Sequence, residues 1–247
     1  VKRRSLLCLA GAAALNLAMR TTGRAEPAEC EVPPELSEIS VKLPHLAERL
    51  GARSPVNIVA IGGASTKGAA AGASDLAYPH RLQVALAGYY PDLPIAVVNK
   101  GVPRQSTQQM VERFPTDVIA EDPILVVWEA GISDAVRGIE IDDFASALQA
   151  GIDEVKNRAI DIILIDMQFS HRTSTVINFE QYLKALHRIG DLNEVYVFPR
   201  FEMMRYWSEQ NMFNFDDVAE EERARLAAKV YDCIGRMLAQ TIRNAVR

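Results

Sequence analysis

Apolar residues fall into five short, nearly continuous runs, at 58–61, 95–99, 124–128, 160–165 and 194–198. A run with little polar alternation reads as a strand covered on both faces, the pattern of a parallel sheet. Between the runs, apolar positions recur at helical spacing. Helices are predicted over 78–86, 106–120, 142–158, 178–189 and 219–246, with another inside 199–210. Asp142 and Asp143 suit the start of the third of these, where a helix favours negative charge. Strands alternating with helices give a parallel sheet with helices on both faces. The segments 58–61, 95–98, 124–128 and 162–165 are expected to be almost wholly buried.

The strands end in turn chemistry. The first run meets Gly62-Gly63, which frees the backbone for a sharp turn, and continues into Ala64-Ser65-Thr66. The second leads into Asn99-Lys100-Gly101-Val102-Pro103-Arg104, and the third into Glu129-Ala130-Gly131-Ile132-Ser133-Asp134. The fourth leads into Asp166-Met167-Gln168-Phe169. Open α/β sheets present their reactive groups at these carboxyl ends, so candidate chemistry is sought there.

Composition changes the picture at the two ends of the chain. Lys2-Arg3-Arg4, an apolar small-residue stretch over 5–19, and Gly23-Arg24-Ala25 form the pattern of a secretory signal cleaved after Ala25. The stretch is shorter than the roughly 20 residues of a membrane span. On this reading residues 1–25 are a signal peptide, 26–54 an N-terminal arm with a short amphipathic helix at 43–50, and 55–247 the α/β domain. Residues 1–25 hold five Lys/Arg and no acid, so their removal takes the net charge from −5 to −10. A chain that acidic, without a basic stripe, is not a nucleic-acid binder. No stable membrane span is expected after removal, and the destination is the periplasm. Of the three cysteines, Cys30 and Cys233 remain. In an exported chain the pair is expected to form a disulfide tying the arm to the last helix; two buried thiols are the alternative.

The residues at the strand ends also carry a resemblance. Ala77-Tyr78-Pro79-x-Arg81-Leu82, Trp128-Glu129-Ala130-Gly131-x-x-Asp134-Ala135-x-Arg137-Gly138, Asp166-x-Gln168-Phe169, Phe198-Pro199-Arg200 and Tyr231-Asp232-Cys233 follow one another in order. In this order and spacing the chain resembles the SGNH/GDSL hydrolase family, above all its exported bacterial members, from Cys30 to the C-terminus. The resemblance implies a flavodoxin-like three-layer α/β/α sandwich with a five-stranded parallel sheet in the order 2-1-3-4-5. It also implies esterase, lipase or acyl-hydrolase chemistry. Such chemistry needs a serine nucleophile, a histidine base, an acid to orient it, and oxyanion donors from backbone N–H groups and an asparagine.

The positions that match those roles are changed. Ala64 stands where relatives carry the nucleophile, and a methyl group cannot attack. Ser65, one step along, is the fallback nucleophile; its other reading is a cap on the following turn. Arg104 stands at the donor glycine and Ser133 at the donor asparagine. Counting back from Tyr231 without gaps puts Glu222 at the acid and Arg225 at the histidine; an alternative register uses Asp216 and puts Ala219 at the histidine, and either way no histidine follows His187. Arginine stays protonated and is no base at neutral pH. His171 follows a strand end and is the best alternative base, whereas His45, His80 and His187 read as surface or packing residues.

No His/Cys/Asp set has metal spacing, and Lys67-Gly68 lacks the Gly-Lys-Ser/Thr order of a phosphate loop, so no metal and no cofactor are implied. Four changed positions around a retained scaffold lead to the expectation of an exported, non-catalytic protein that binds a ligand or partner. The alternative is an active esterase or acyl-hydrolase with Ser65 as a displaced nucleophile. If Arg104 and Arg225 share the cleft, they suit a small anionic ligand, because guanidinium groups hold carboxylates and phosphates by paired hydrogen bonds. The competing reading pairs each arginine internally, with Asp134 and Glu222.

Overall fold

The computed structural model describes residues 30–214 and 218–247, apart from the Arg172 side chain. The segment assigned as a signal peptide lies outside them. Five strands form one sheet: β1 (Val56–Gly62), β2 (Ile95–Gly101), β3 (Leu125–Glu129), β4 (Asp161–Ile165) and β5 (Tyr196–Phe198). Their order is β2-β1-β3-β4-β5, every pair parallel, in agreement with the order that the resemblance implies.

The helices follow from the crossovers. Two short pieces open the described chain, α1 (Pro34–Ser37) and α2 (Pro44–Gly51). After β1 come α3 (Ala64–Lys67) and α4 (Tyr78–Tyr89). After β2 come α5 (Thr107–Glu112) and α6 (Phe114–Asp117); after β3, α7 (Ile132–Arg137) and α8 (Ile141–Lys156). After β4 come α9 (His171–Ser174) and α10 (Glu180–Leu192); after β5, α11 (Arg200–Glu209) and α12 (Glu220–Ala245). The chain moves one way from β1 to β2 and the other way from β2 through β5. Right-handed crossovers therefore put α4 on one face and α5, α8 and α10 on the other. α12 packs on α4, and α8 packs on both α5 and α10.

Two expectations are corrected. The segment 95–98 is not wholly buried: Ala96 is exposed and its neighbours are half-buried. β2 is an edge strand, so one side lacks a neighbour, whereas Ile58–Ile61 and Leu125–Trp128 lie in interior strands and are fully buried. The helix predicted over 106–120 is broken at Arg113 into α5 and α6. Pro115 has no N–H to bond the preceding turn, and its ring takes the second position of a new helix instead.

Covalent and hydrogen bonds tie the arm down. Cys30 and Cys233 form a disulfide with Cα atoms 5.2 Å apart, so the expected pairing is present. Leu43 N donates to Ala245 O at 3.3 Å. Leu46 N, in the first turn of α2, donates to Asp161 Oδ2 at 2.8 Å, so a carboxylate from the start of β4 caps that helix. Burial pushes the Asp161 carboxyl up, and the N–H bonds and His45 oppose it.

Candidate functional site

The turn after β1 rests on a buried polar floor. Glu129, at the end of β3, is 1 % exposed, and its Oε2 accepts from Thr66 N at 3.0 Å and from Thr66 Oγ1. Its Oε1 accepts from Arg200 Nη2 at 3.1 Å, and Arg200 is itself buried at the start of α11. Tyr78, fully buried, shares a 3.0 Å hydrogen bond with Thr66 Oγ1. Burial pushes the Tyr78 hydroxyl far up, so it stays neutral. Asn99 adds the edge strand: its Nδ2 donates to Thr66 O at 2.7 Å and its Oδ1 accepts from Gly101 N at 2.9 Å.

Two glycines permit this approach. A Cβ on Gly62 would overlap Thr66 Oγ1 and Glu129 Cβ, and one on Gly101 would overlap the backbone of Thr66 and Lys67. The motif glycines are thus required by close packing, which composition alone does not reveal.

A second buried acid holds the neighbouring loop. Asp134 accepts from Thr107 N at 3.0–3.1 Å and from Thr107 Oγ1 at 2.8 Å, placing a carboxylate at the start of α5. Burial pushes Asp134 up, against the pull of Thr107. Asp134 is thus engaged with Thr107 and not with Arg104. Arg137 donates to Arg104 O and to Gln109 Oε1 (3.2 Å), which clamps the loop. Arg104 adopts φ 66°, the left-handed region that favours glycine. The cost for an arginine in this conformation is about 1–2 kcal/mol.

The candidate positions above this floor are placed as follows. Ala64 is exposed at the start of α3, Arg104 is exposed on the β2–α5 loop, and Ser133 is half-buried on α7. Glu222 and Arg225 are exposed in the first turns of α12. Arg225 lies two residues beyond Arg223, so by helical spacing the two point to opposite sides. Arg223, not Arg225, lines the cavity beside the turn. Among the described residues neither Arg104 nor Arg225 forms an ion pair with Asp134 or Glu222. Ser65 is 5 % exposed, and its hydroxyl donates to Gln168 Oε1 at 2.9 Å. It sits inside α3, whose cap is Gly63, and so does not cap the turn.

Histidines contribute elsewhere. His171 is exposed, its ring 4.9 Å from that of Phe169. His187 makes a contact that its place within a predicted helix does not signal. Its Nε2 lies 3.0 Å from Oδ2 of the fully buried Asp166, whose Oδ1 accepts from Phe201 N at 2.8 Å. The bond to Asp166 raises the His187 pKa above its ordinary value, against the effect of burial. Asp166 is pushed up by burial and drawn back by His187 and Phe201.

Two cavities differ in place and chemistry. The larger, about 590 Å³, lies at the amino ends of β4 and β5, among Lys42, His45, Lys156 and Asp161. It is at the far end of the sheet from the turn, and its buried acid is already used to cap α2. The smaller, about 200 Å³, lies beside the turn, between the β4–α9 loop and the first half of α12. Size favours the first; position at the carboxyl ends of the strands favours the second as a site. Among the described residues no group of three or more His, Cys, Asp and Glu side chains is placed to hold a metal ion.

Comparison with known proteins agrees with this architecture. No curated protein matches the chain. A proposed lipolytic protein of the G-D-S-L family from Desulfitobacterium hafniense DCB-2 superposes with TM-score 0.55 at 20 % identity, over 75 % of this chain and 99 % of that one. The acetylxylan esterase Axe2 of Geobacillus stearothermophilus gives TM-score 0.58 at 19 % identity, over 78 % and 94 %. A two-domain esterase active on acetylated mannans, co-crystallised with mannopentaose, gives 0.61 at 17 % identity; this chain covers 55 % of it, with 83 % of its own length aligned. At these identities the likeness is one of fold. A profile of the non-GDSL lipase-like family matches residues 29–247. That match spans the sheet, the turn and its buried floor, and the chain belongs to the non-GDSL lipase-like family, with the α/β fold of SGNH/GDSL-like hydrolases.

Proposed function

We propose that the protein is an exported, non-catalytic member of this family that binds a ligand or partner at the carboxyl ends of its strands. One observation carries the reading: the Ser65 hydroxyl is buried and donates to a neutral amide. A serine nucleophile needs an acceptor base for its proton, and the Gln168 carbonyl oxygen is not basic enough to take it. In the register that the resemblance implies, Ala64, Arg104, Ser133, Glu222 and Arg225 are the degenerate positions, so that nucleophile, base and side-chain oxyanion donor are all replaced. Two of the similar Axe2 structures are catalytic mutants, one changing serine to alanine and one histidine to alanine. In the register that the resemblance implies, Ala64 stands at the serine position and Arg225 at the histidine position.

Export is supported by the Cys30–Cys233 disulfide, since such bonds persist in oxidising compartments. No described helix is long and apolar enough to cross a membrane. Within that setting the periplasm is the proposed location. A panel of short-chain aryl esters incubated with purified protein tests the reading. We expect no turnover above that of buffer. Turnover that disappears in Ser65→Ala would establish the displaced nucleophile instead.

A further inference from the structure

We infer that a third cavity, between the last turns of α2, α4 and α12, binds a small organic oxyanion. It is a second site, apart from the turn after β1. α2 leads into β1 and Tyr90 into β2, so the cavity sits at the amino ends of those strands. Its volume is about 460 Å³, and its walls include Ala47, Leu50, Tyr89, Tyr90, Arg243 and Val246. Small-molecule sites span roughly 300–1,000 Å³, so this one admits an organic body and not only an ion. Ala47, Leu50 and Val246 are half-buried and offer that body an apolar lining.

Arg243 selects the charge of the ligand. Five arginines are buried or half-buried among the described residues: Arg49, Arg81, Arg113, Arg200 and Arg243. A sheltered guanidinium ordinarily meets an oxygen, because a charge left unpaired away from water is costly. Four of the five do. Arg49 donates to Pro55 O, Arg81 faces Asp232, Arg113 pairs with Asp117 and donates to Lys100 O, and Arg200 pairs with Glu129. Arg243 instead lies against the ring of Tyr89, its Cζ 4.5 Å from the ring centroid. Among the described residues it makes no ion pair, and its buried Nε has no hydrogen-bond partner. Stacking on Tyr89 orders the guanidinium before a ligand arrives, which lowers the cost of binding. Its planar fork fits the paired oxygens of a carboxylate, phosphate or sulfonate. No Asp or Glu is among the lining residues to compete, whereas the 590 Å³ cavity holds Asp161, Asp191 and Glu194 beside its bases. Arg247 also lines the cavity; it is exposed and adds positive charge only. A cation in the last turn of α12 suits the helix dipole. That accounts for a positive residue there, and not for one sheltered in a cavity without an oxygen partner.

Benzenesulfonate, benzenesulfonamide and inorganic sulfate separate the charge from the body. The first joins an oxyanion to an apolar ring, the second removes the charge, and the third removes the ring. Each is titrated into the purified protein at low salt and followed by calorimetry. Benzenesulfonate is expected to bind saturably, and about tenfold more tightly than either of the others. Arg243→Gln is expected to weaken it about tenfold, and Tyr89→Leu about threefold by freeing the guanidinium. Arg104→Ala, at the turn, is expected to leave that affinity unchanged. Binding that survives Arg243→Gln but is lost in Arg104→Ala would put the anion at the turn and overturn the inference. No saturable binding overturns it too, as does equal affinity for the sulfonate and either of the other compounds. If Arg243→Gln does not fold, an unchanged affinity in Tyr89→Leu overturns it equally. Aryl-ester turnover would contradict the non-catalytic reading alone, leaving this cavity to be judged by the titration.

Discussion

The two sides of the turn after β1 differ in kind. Below it, Thr66, Tyr78, Glu129 and Arg200 form a buried polar set closed by hydrogen bonds and an ion pair. The positions matched to the hydrolase roles, Ala64, Arg104 and Arg225, are exposed instead. The floor is specified residue by residue, because a buried charge must be matched by a partner of the right shape. The outer positions carry no such constraint, and they are where the proposed loss of the hydrolase roles falls. On the proposed reading, the fold keeps the support for a reaction centre without keeping the centre.

Substitutions on the two sides should separate them. Arg200→Met leaves the Glu129 carboxylate buried without its cation and should cost about 3–5 kcal/mol of stability, read by urea unfolding. Ala64→Ser on the outer side should stay within about 0.5 kcal/mol of the wild type. Similar costs for the two would break the distinction. Next in size is the arm. Replacing Cys30 and Cys233 together by serine opens a loop spanning 203 positions and should cost about 2–5 kcal/mol. An unchanged unfolding midpoint would mean that the arm holds without its covalent tie.

The smallest effect belongs to His187. Its folded-state pKa is raised, chiefly by the bond to Asp166. The stabilisation is therefore complete below the unfolded value near 6.5 and is lost as pH rises through the raised folded value. The His187 side chain is 42 % exposed, so solvent weakens the effect. Across that range the wild type should lose about 1–3 °C of melting temperature relative to His187→Gln. A parallel pH profile in the two proteins would show that the contact contributes nothing.

The sequence made the sheet legible because interior parallel strands are apolar on both faces. β1, β3 and β4 meet that condition. β2 also has an apolar run, and its partial exposure follows from its edge position, which the pattern of a single strand does not encode. The break at Arg113 was readable in principle from Pro115, but the helical spacing continues across it. In the site, the changed positions stood out because the glycines and acids around them keep their order. The floor was harder to see. Glu129 and Arg200 are 71 positions apart, and Asp166 and His187 are 21 apart on different elements. Nothing local in the chain marks such partners; only the sheet brings them together.

Non-catalysis at the turn is the central claim, and the most direct measurement of it is covalent. Incubation with a serine-directed fluorophosphonate, followed by intact mass and peptide mapping, reads out any activated hydroxyl independently of substrate choice. The arrangement of Ser65 against Gln168 predicts no mass increment on the native protein. A single increment mapped to Ser65, and absent from Ser65→Ala, would contradict the account.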